Sequence, residues 1–110
     1  MEKEITLLKT IADKNRLSIL YVLKDKELCV CELQQVISLT QGALSIQLKN
    51  LQNIGLLSSR KQGKWVFYKL SESLDDFQQN IISTTLAKIK NTEYIKQIDK
   101  IVIKEQICKS

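Results

Sequence analysis

The sequence predicts a mainly α-helical fold with one small β-hairpin, arranged as a winged helix-turn-helix. Three observations lead to this prediction: apolar residues recur at helical spacing, two short central helices are separated by only a few residues, and β-rich runs around a glycine follow them directly. With 110 residues, the chain has the length of one domain. We therefore expect a single winged-helix domain over 1–110.

The first two predicted helices belong to the N-terminal part of the core. Ile5, Leu8, Ile11 and Ala12 share one helical face, and Asp13 then offers a side-chain cap for a second helix. The second helix is apolar nearly all round, so we expect it at the centre of the core. Its apolar residues are Leu17, Ile19, Leu20, Val22 and Leu23.

A helix-turn-helix is predicted over about 30–54, because two short amphipathic helices meet there across Ser38, Leu39 and Thr40. The third helix carries Leu33, Val36 and Ile37, and the fourth carries Leu44, Leu48 and Leu51. Gly55 is expected to end the fourth helix. In such a pair the second helix enters the major groove of DNA.

A wing is predicted over about 57–70, where two β-rich runs flank Gly63. Arg60, Lys61 and Lys64 place positive charge along this hairpin, which suits contacts with DNA phosphates. Trp65 and Tyr68 are expected to pack the wing against the body of the domain. The net charge of +5 also fits double-stranded DNA as the partner.

The remaining residues, about 72–110, predict a C-terminal helical region followed by a tail. Ser73 and Asp76 form a pattern resembling a capping box, and Asn91 with Thr92 is a possible interruption. Apolar residues at helical spacing continue this region towards Cys108; they are Leu74, Phe77, Ile81, Ile82, Ile95, Ile98 and Val102.

Three cysteines and no histidine limit the chemistry of the chain. An odd number of thiols in a reducing compartment favours metal binding or thiol reactivity over a disulfide scaffold. The absence of histidine excludes most zinc, nickel and copper sites and most histidine-dependent catalysis. We therefore expect no enzyme, no catalytic residue and no required cofactor. Cys29 and Cys31, one residue apart at the start of the helix-turn-helix, instead suggest a site for a soft metal or metalloid.

The sequence shows neither a secretory signal nor a membrane-spanning stretch, and this predicts where the protein is located. The N-terminus has no basic head followed by an apolar run, as a secretory signal would, and no apolar stretch is long enough to cross a membrane. We expect a cytoplasmic protein without a membrane partner.

Over positions 5–70 the sequence resembles the arsenical-resistance repressor (ArsR) family of metal-responsive winged-helix dimers. The resemblance lies in three segments, Leu7–Leu20, Glu27–Leu33 and Gly55–Tyr68, taken in that order and spacing. Gln34 departs from the arsenic-sensing branch, which commonly has a third cysteine there. Gly42 and Gln47 also depart from the residues common in the family, which are proline and histidine.

The resemblance implies a homodimer built from the N- and C-terminal helices, an operator with two-fold symmetry, and repression relieved by As(III) or Sb(III). It also implies that the recognition helix turns Thr40, Gln41, Ser45 and Gln47 towards DNA, and Lys49 could contact a phosphate. Cys29 and Cys31 would be thiolate ligands, and Cys108 is the remaining candidate for a third.

The positions of the two thiols predict how such a switch would work. Cys29 stands where a residue caps the third helix, with Glu32 three residues later in the capping-box position. A helix N-terminus favours thiolate over thiol. Residues two apart in a helix point about 200° apart, so we expect metalloid binding to unwind or re-aim the first turn.

Two other functions are open at this point. The same DNA reader could sense oxidants or reactive sulfur through its thiols, although a disulfide between Cys29 and Cys31 would close a very tight ring. Alternatively, the helix pair could be a protein-interaction module in which the cysteines are small hydrophobic residues; the basic wing disfavours this.

Overall fold

A computed structural model describes residues 1–105 of the chain. The elements are α1 (Glu2–Ile11), α2 (Lys14–Leu23), β1 (Leu28–Cys29), α3 (Val30–Leu33), α4 (Gln41–Asn53), β2 (Leu57–Gln62), β3 (Trp65–Leu70), α5 (Asp76–Ile89) and α6 (Glu93–Glu105). This is the predicted arrangement of a mainly helical domain with a small wing, and the helix-turn-helix is α3–α4. Cys108 lies outside the described residues.

Helix α2 is the central element of the core, as predicted. Every residue from Ser18 to Leu23 is buried. The helix begins where expected, because the Arg16 backbone N–H donates to Asp13 Oδ2 at 2.9 Å.

Helix α1 buries a different face from the predicted one. Leu7 and Ile11, four residues apart, pack into the core, whereas Leu8 is 47% exposed and Ile5 37% exposed. The apolar residues of α1 therefore divide into a face that packs on its own chain and a second face open to solvent. The sequence pattern grouped Ile11 with Ile5 and Leu8, although only Ile11 of these three packs into the core.

The predicted boundaries of the recognition helix α4 are confirmed. The Ala43 backbone N–H donates to Thr40 Oγ1 at 3.1 Å, which caps the start of the helix. At its other end Gly55 has a φ of 85°, and the Leu56 N–H donates to the Leu51 carbonyl at 3.0 Å. This is a glycine-terminated helix end in which the left-handed residue lets the last carbonyls be satisfied. The buried stripe is Leu44, Leu48 and Leu51, as predicted.

The wing is a hairpin of β2 and β3 joined by Gly63 and Lys64, with Gly63 at a φ of 62°. A third strand, β1, was not predicted. It has only two residues and pairs antiparallel with β3, Leu28 opposite Tyr68 and Cys29 opposite Phe67, so the sheet order is β1-β3-β2. A strand of two residues cannot show an alternating pattern of apolar and polar residues. It is therefore recognisable only from its hydrogen-bonded pairing with β3.

Helix α5 begins two residues later than a cap at Ser73 would give. Asp75 is the cap: its Oδ1 accepts from the Gln78 N–H at 2.7 Å, and Gln78 Oε1 accepts from the Asp75 N–H at 3.0 Å. The interruption at Asn91 and Thr92 is confirmed. Beyond it, α6 packs back on α2, where the Tyr21 hydroxyl donates to Asp99 Oδ2 at 2.9 Å. No helix within residues 1–105 is long and apolar enough to span a membrane.

Candidate thiol site and nucleic-acid surface

The two thiols of the chain's Cys-x-Cys pair lie side by side. Cys29 Sγ and Cys31 Sγ are 3.1 Å apart. Cys29 has an extended backbone, with φ −89° and ψ 172°, because it ends β1 and precedes the first turn of α3. The expectation that the sulfurs diverge until the helix unwinds is therefore wrong: Cys29 is outside the helix, and both sulfurs already face one point.

The two sulfurs differ in their access to solvent. Cys29 is 6% exposed, whereas Cys31 is exposed. Burial, followed by the hydrogen bond with Cys31, raises the pKa of the Cys29 thiol to about 11. The expectation that the helix N-terminus favours a thiolate fails at Cys29, because one turn of helix has a small dipole and desolvation outweighs it. Cys31 is thus the accessible sulfur, and Cys29 is the buried one behind it.

Backbone and carboxylate contacts fix the position of Cys29. Its N–H donates to Glu32 Oε1 at 3.0 Å, as the capping-box prediction required. Its strand pairs with Phe67 in the middle of the wing. The pair is therefore anchored on one side to the helix-turn-helix and on the other to the wing.

The separation of the two sulfurs corresponds to a narrower angle between two ligands than a tetrahedral ion has. With metal–sulfur bonds of about 2.3 Å, as zinc thiolates have, the 3.1 Å separation corresponds to an angle of about 85° at the ion. A tetrahedral ion would need the sulfurs farther apart. Within residues 1–105 no group of three or more Cys, Asp, Glu or His side chains could hold a metal. A third ligand would have to come from elsewhere.

The recognition helix presents a polar outer face. Gln41 and Lys49 are exposed and Ser45 is half-buried, and their spacing of four residues puts them on one side of α4. Ile46, on the same outer surface, is 62% exposed. Thr40 is also exposed, although its hydroxyl caps the helix.

Gln47 is turned towards the protein instead. Its Oε1 accepts a hydrogen bond from Arg16 Nη1 at 3.0 Å, and Arg16 Nε donates to the Thr10 carbonyl at 2.5 Å. This network ties α4 to α2 and to the end of α1. Gln47 therefore makes a hydrogen bond within the protein, whereas the resemblance implied that its side chain faces DNA.

The tip of the wing is basic and exposed. Lys61 and Lys64 are both exposed, and Lys64 Nζ lies 5.7 Å from the centre of the Trp65 ring. Trp65 is 47% exposed, so the expectation that it packs against the body is wrong, whereas Tyr68 is 4% exposed and packs as predicted. Trp65 lies beside the turn, beyond the reach of the core.

Arg60, in the middle of the wing opposite Phe67, is engaged within the protein rather than free for phosphates. Its guanidinium forms a two-pronged ion pair with Glu27, at 2.9 Å from Nε and from Nη2, and lies 4.8 Å from the centre of the Phe67 ring. Arg60 Nη1 also donates to Gln62 Oε1 at 2.6 Å. Sequence reasoning missed Glu27, which is 33 residues away and adjacent to the unpredicted strand β1.

A capped recognition helix with an exposed polar face, followed directly by a basic hairpin, defines a winged helix-turn-helix DNA-binding protein. A family model described as bacterial regulatory protein, arsR family, matches residues 13–59. The chain belongs to this family.

Individual relatives agree with the family. The chain is 43% identical over 79 residues to the arsenical resistance operon repressor of Escherichia coli K12. The aligned region covers 71% of this chain and 68% of that relative. Reduced HlyU from Vibrio cholerae superposes with a TM-score of 0.67 at 35% identity, covering 84% of this chain and 90% of that one. The AntR antimony-specific transcriptional repressor superposes with a TM-score of 0.67 at 25% sequence identity, and the superposition covers 84% of this chain and 81% of that one. The chain is therefore an ArsR-family transcriptional repressor rather than an enzyme.

Proposed function

We propose that the chain represses transcription by binding operator DNA and leaves the operator when Cys29 and Cys31 bind As(III) or Sb(III). The observation that carries this proposal is the pair of sulfurs 3.1 Å apart, one of them open to solvent. Relatives named for arsenical resistance and for antimony supply the class of inducer. Trivalent arsenic and antimony are soft and favour sulfur ligands.

The signal would reach the wing through the sheet. Cys29 pairs with Phe67, and Phe67 pairs with Arg60, so these three residues form one cross-strand row. Side chains in such a row share a face of the sheet. Drawing the Cys29 sulfur towards an ion would pull on β1, and β1 is bonded to β3 along the wing.

A second route leads to the recognition helix. Cys31 lies within α3, and α3 packs against α4 in the helix-turn-helix. A coupling free energy of about 1–3 kcal/mol, typical between two sites of one protein, would weaken operator binding roughly 5- to 150-fold.

DNA would be contacted by the outer face of α4 and the tip of the wing. The proposed contacts are Thr40, Gln41, Ser45, Lys49, Lys61 and Lys64. Gln47 would contribute only through its amide nitrogen, because its oxygen is bonded to Arg16. Arg60 is proposed to position the wing rather than to touch DNA.

The active form is proposed to be a homodimer of this single domain on an operator with two-fold symmetry. Ile5 and Leu8 on α1 and Phe77 on α5 are exposed large apolar side chains of the described structure. Helices α1 and α5 are linked by the ion pair of Lys3 with Asp75 at 2.9 Å. Together they offer an apolar surface that a second copy would bury.

Cys108 remains the proposed third thiolate, from its own chain or from the second copy. Without it, two protein sulfurs and a solvent or small-molecule ligand would complete the site. Replacing Cys108 with serine distinguishes these cases: loss of affinity for arsenite supports a three-thiolate site, and unchanged affinity supports a two-thiolate site.

The test is a titration of arsenite, antimonite, Cd(II) and Zn(II) against the reduced protein bound to a fluorescent fragment of its own promoter. We expect release by arsenite and antimonite at lower concentrations than by Cd(II) or Zn(II). A Cys29→Ser, Cys31→Ser double variant should bind the fragment and ignore all four. Unchanged operator affinity of the wild-type protein in arsenite would refute the sensing proposal and leave the DNA-binding one standing.

A second candidate keeps the fold and changes the signal to an oxidant or reactive sulfur. The absence of a third thiol beside the pair within residues 1–105 favours it. In a disulfide reaction the two thiols would lose two electrons and two protons to peroxide, which is reduced to water. Mass spectrometry of the peroxide-treated protein, run beside a DNA-binding assay, separates this candidate from metalloid sensing.

A further inference from the structure

We propose that a groove at the base of the wing binds an amphipathic anion, a monocarboxylate with an alkyl chain of medium length, as a second effector. The groove lies among the C-terminal end of α2, the end of β3 and one side of α5, and its volume is about 700 Å³. Pockets for small molecules commonly occupy about 300–1,000 Å³. The groove contains neither Cys29 nor Cys31.

The floor of the groove is apolar. Leu23, Ile82 and Leu86 line it and are buried, with exposed fractions of at most 4%. Leu70 and Leu74, both half-buried, continue this surface towards the wing. Binding of an alkyl chain on this floor would be favourable, because it removes apolar surface of both the chain and the groove from water.

The rim of the groove is positively charged. Four lysines line it, Lys24, Lys26, Lys69 and Lys90, against two carboxylates, Asp25 and Glu72. Each carboxylate already has a lysine partner: Lys24 Nζ lies 3.5 Å from Asp25, and Lys69 Nζ lies 3.2 Å from Glu72. Lys26 and Lys90 make no ion pair with another residue of the described part of the chain.

The two lysines without a carboxylate partner have different positions in the fold. Lys90 caps the C-terminal end of α5, where positive charge is favoured in any helix. Lys26 is in the loop between α2 and β1 and has no such role. Two of the four rim lysines therefore have no carboxylate partner among the described residues, and the rim carries a surplus of positive charge. An apolar floor beside a cationic rim selects an anionic head with an apolar chain over a neutral or cationic amphiphile.

Occupancy of the groove would bear on DNA binding because the wing forms part of its wall. Lys69 and Leu70 are the last two residues of β3, and Leu70 pairs with Leu57 at the start of β2. A ligand held here would fix the angle at which the hairpin leaves the domain. This effector would act on the same wing as the proposed thiol site, at the end of β3 rather than at its middle.

The experiment is calorimetric titration of the full chain with dodecanoate, below its micellar concentration, beside dodecyltrimethylammonium of the same chain length. We expect one dodecanoate per chain and no saturable binding of the cation. Lys26→Glu should weaken dodecanoate binding roughly tenfold, because charge reversal removes one attraction and adds one repulsion. Lys88→Glu is the matched control, since Lys88 is exposed on α5 and does not line the groove.

A blocking variant tests the location. Ala87 is an exposed α5 residue that lines the groove, so Ala87→Trp should abolish binding while leaving the thermal unfolding midpoint nearly unchanged. If this variant folds poorly, Ser83→Phe, at another exposed lining position, replaces it. The Cys29→Ser, Cys31→Ser variant should bind dodecanoate normally, which separates this proposal from metalloid sensing. Absent saturation, equal binding of the cation, or full binding by the blocked variant would overturn the proposal.

Discussion

The middle and the tip of the wing carry similar charges and have different roles. In the middle, Arg60 is held by Glu27 and lies against Phe67, which also pairs with Cys29. At the tip, Lys61 and Lys64 are exposed. The difference teaches that a cationic residue in a wing is not by itself a DNA contact: its cross-strand neighbours decide whether its charge is used inside the protein or outside it.

The largest effect is expected from removing the two sulfurs beside the middle of the wing. In the Cys29→Ser, Cys31→Ser variant the arsenite-induced loss of operator affinity, roughly 5- to 150-fold in the wild type, should disappear. Serine at position 29 is a better helix cap than cysteine, so folding should be preserved. Fluorescence anisotropy of labelled operator with and without arsenite measures this. A double variant that still responds would place the sensor elsewhere.

The next effect concerns the tip. Lys61→Ala with Lys64→Ala should weaken operator binding about tenfold and reduce the slope of log affinity against log salt by about 1.8, the value for two phosphate contacts. Arsenite should still release the variant by the same factor as the wild type. Binding isotherms at several salt concentrations provide the measurement, and an unchanged salt slope would show that the tip does not reach DNA.

A third variant alters a residue of α2 outside the wing, and it tests whether a loss of stability alone changes the arsenite response. Tyr21→Phe removes the hydrogen bond to Asp99 and should lower the free energy of unfolding by about 1 kcal/mol, with the arsenite response intact.

This loss should also depend on pH. Burial, and then the hydrogen bond to Asp99, raises the pKa of Tyr21 to about 12 from the ordinary 10.0. The neutral hydroxyl is thus favoured by folding, so its contribution is complete below pH 10 and disappears as the pH rises towards 12. Denaturant unfolding at pH 8 and pH 11 should show a smaller difference between wild type and variant at pH 11. An equal difference at both values would contradict the assignment.

The smallest effect is expected from weakening the ion pair of Arg60 in the middle of the wing. Glu27→Gln weakens the ion pair with Arg60 and should change the free energy of unfolding by no more than about 1 kcal/mol, as exposed pairs do. If the middle of the wing carries the signal, the arsenite-induced change in operator affinity should fall severalfold. Glu72→Gln, which breaks the exposed pair with Lys69, is the control and should leave the response unchanged. An unaltered response in both variants would favour transmission through α3 alone.

Long periodic segments were predictable from sequence. Helices α2 and α4 were placed correctly, because each has apolar residues at helical spacing over several turns, and the cap of α2 at Asp13 and the end of α4 at Gly55 were also predicted. The cap of α4 at Thr40 was not predicted, since Thr40 was assigned to the break before the helix and to its DNA-facing side. The turn at Gly63 followed from its β-rich flanks. Family membership was also evident from the order of these segments.

The geometry of the thiol site was not predictable. It depends on β1, which consists of two residues and is defined only by its partner strand, about 40 residues further along the chain. The cap position of Cys29 was predictable, but the strand pairing that accompanies its extended backbone, and the closeness of its sulfur to that of Cys31, were not. The pairing of Arg60 with Glu27 was missed for the same reason, since the two meet only when β1 lies beside β3.

The exposed indole of Trp65 has a practical consequence. It is the only tryptophan in the sequence, it lies next to the turn of the hairpin, and it is 47% exposed beside Lys64. Its emission therefore reports the surroundings of one point in the molecule without background from any other indole. Quenching by iodide or acrylamide would follow, in unlabelled protein, whether the hairpin is free, lies on a duplex, or has been displaced by an inducer.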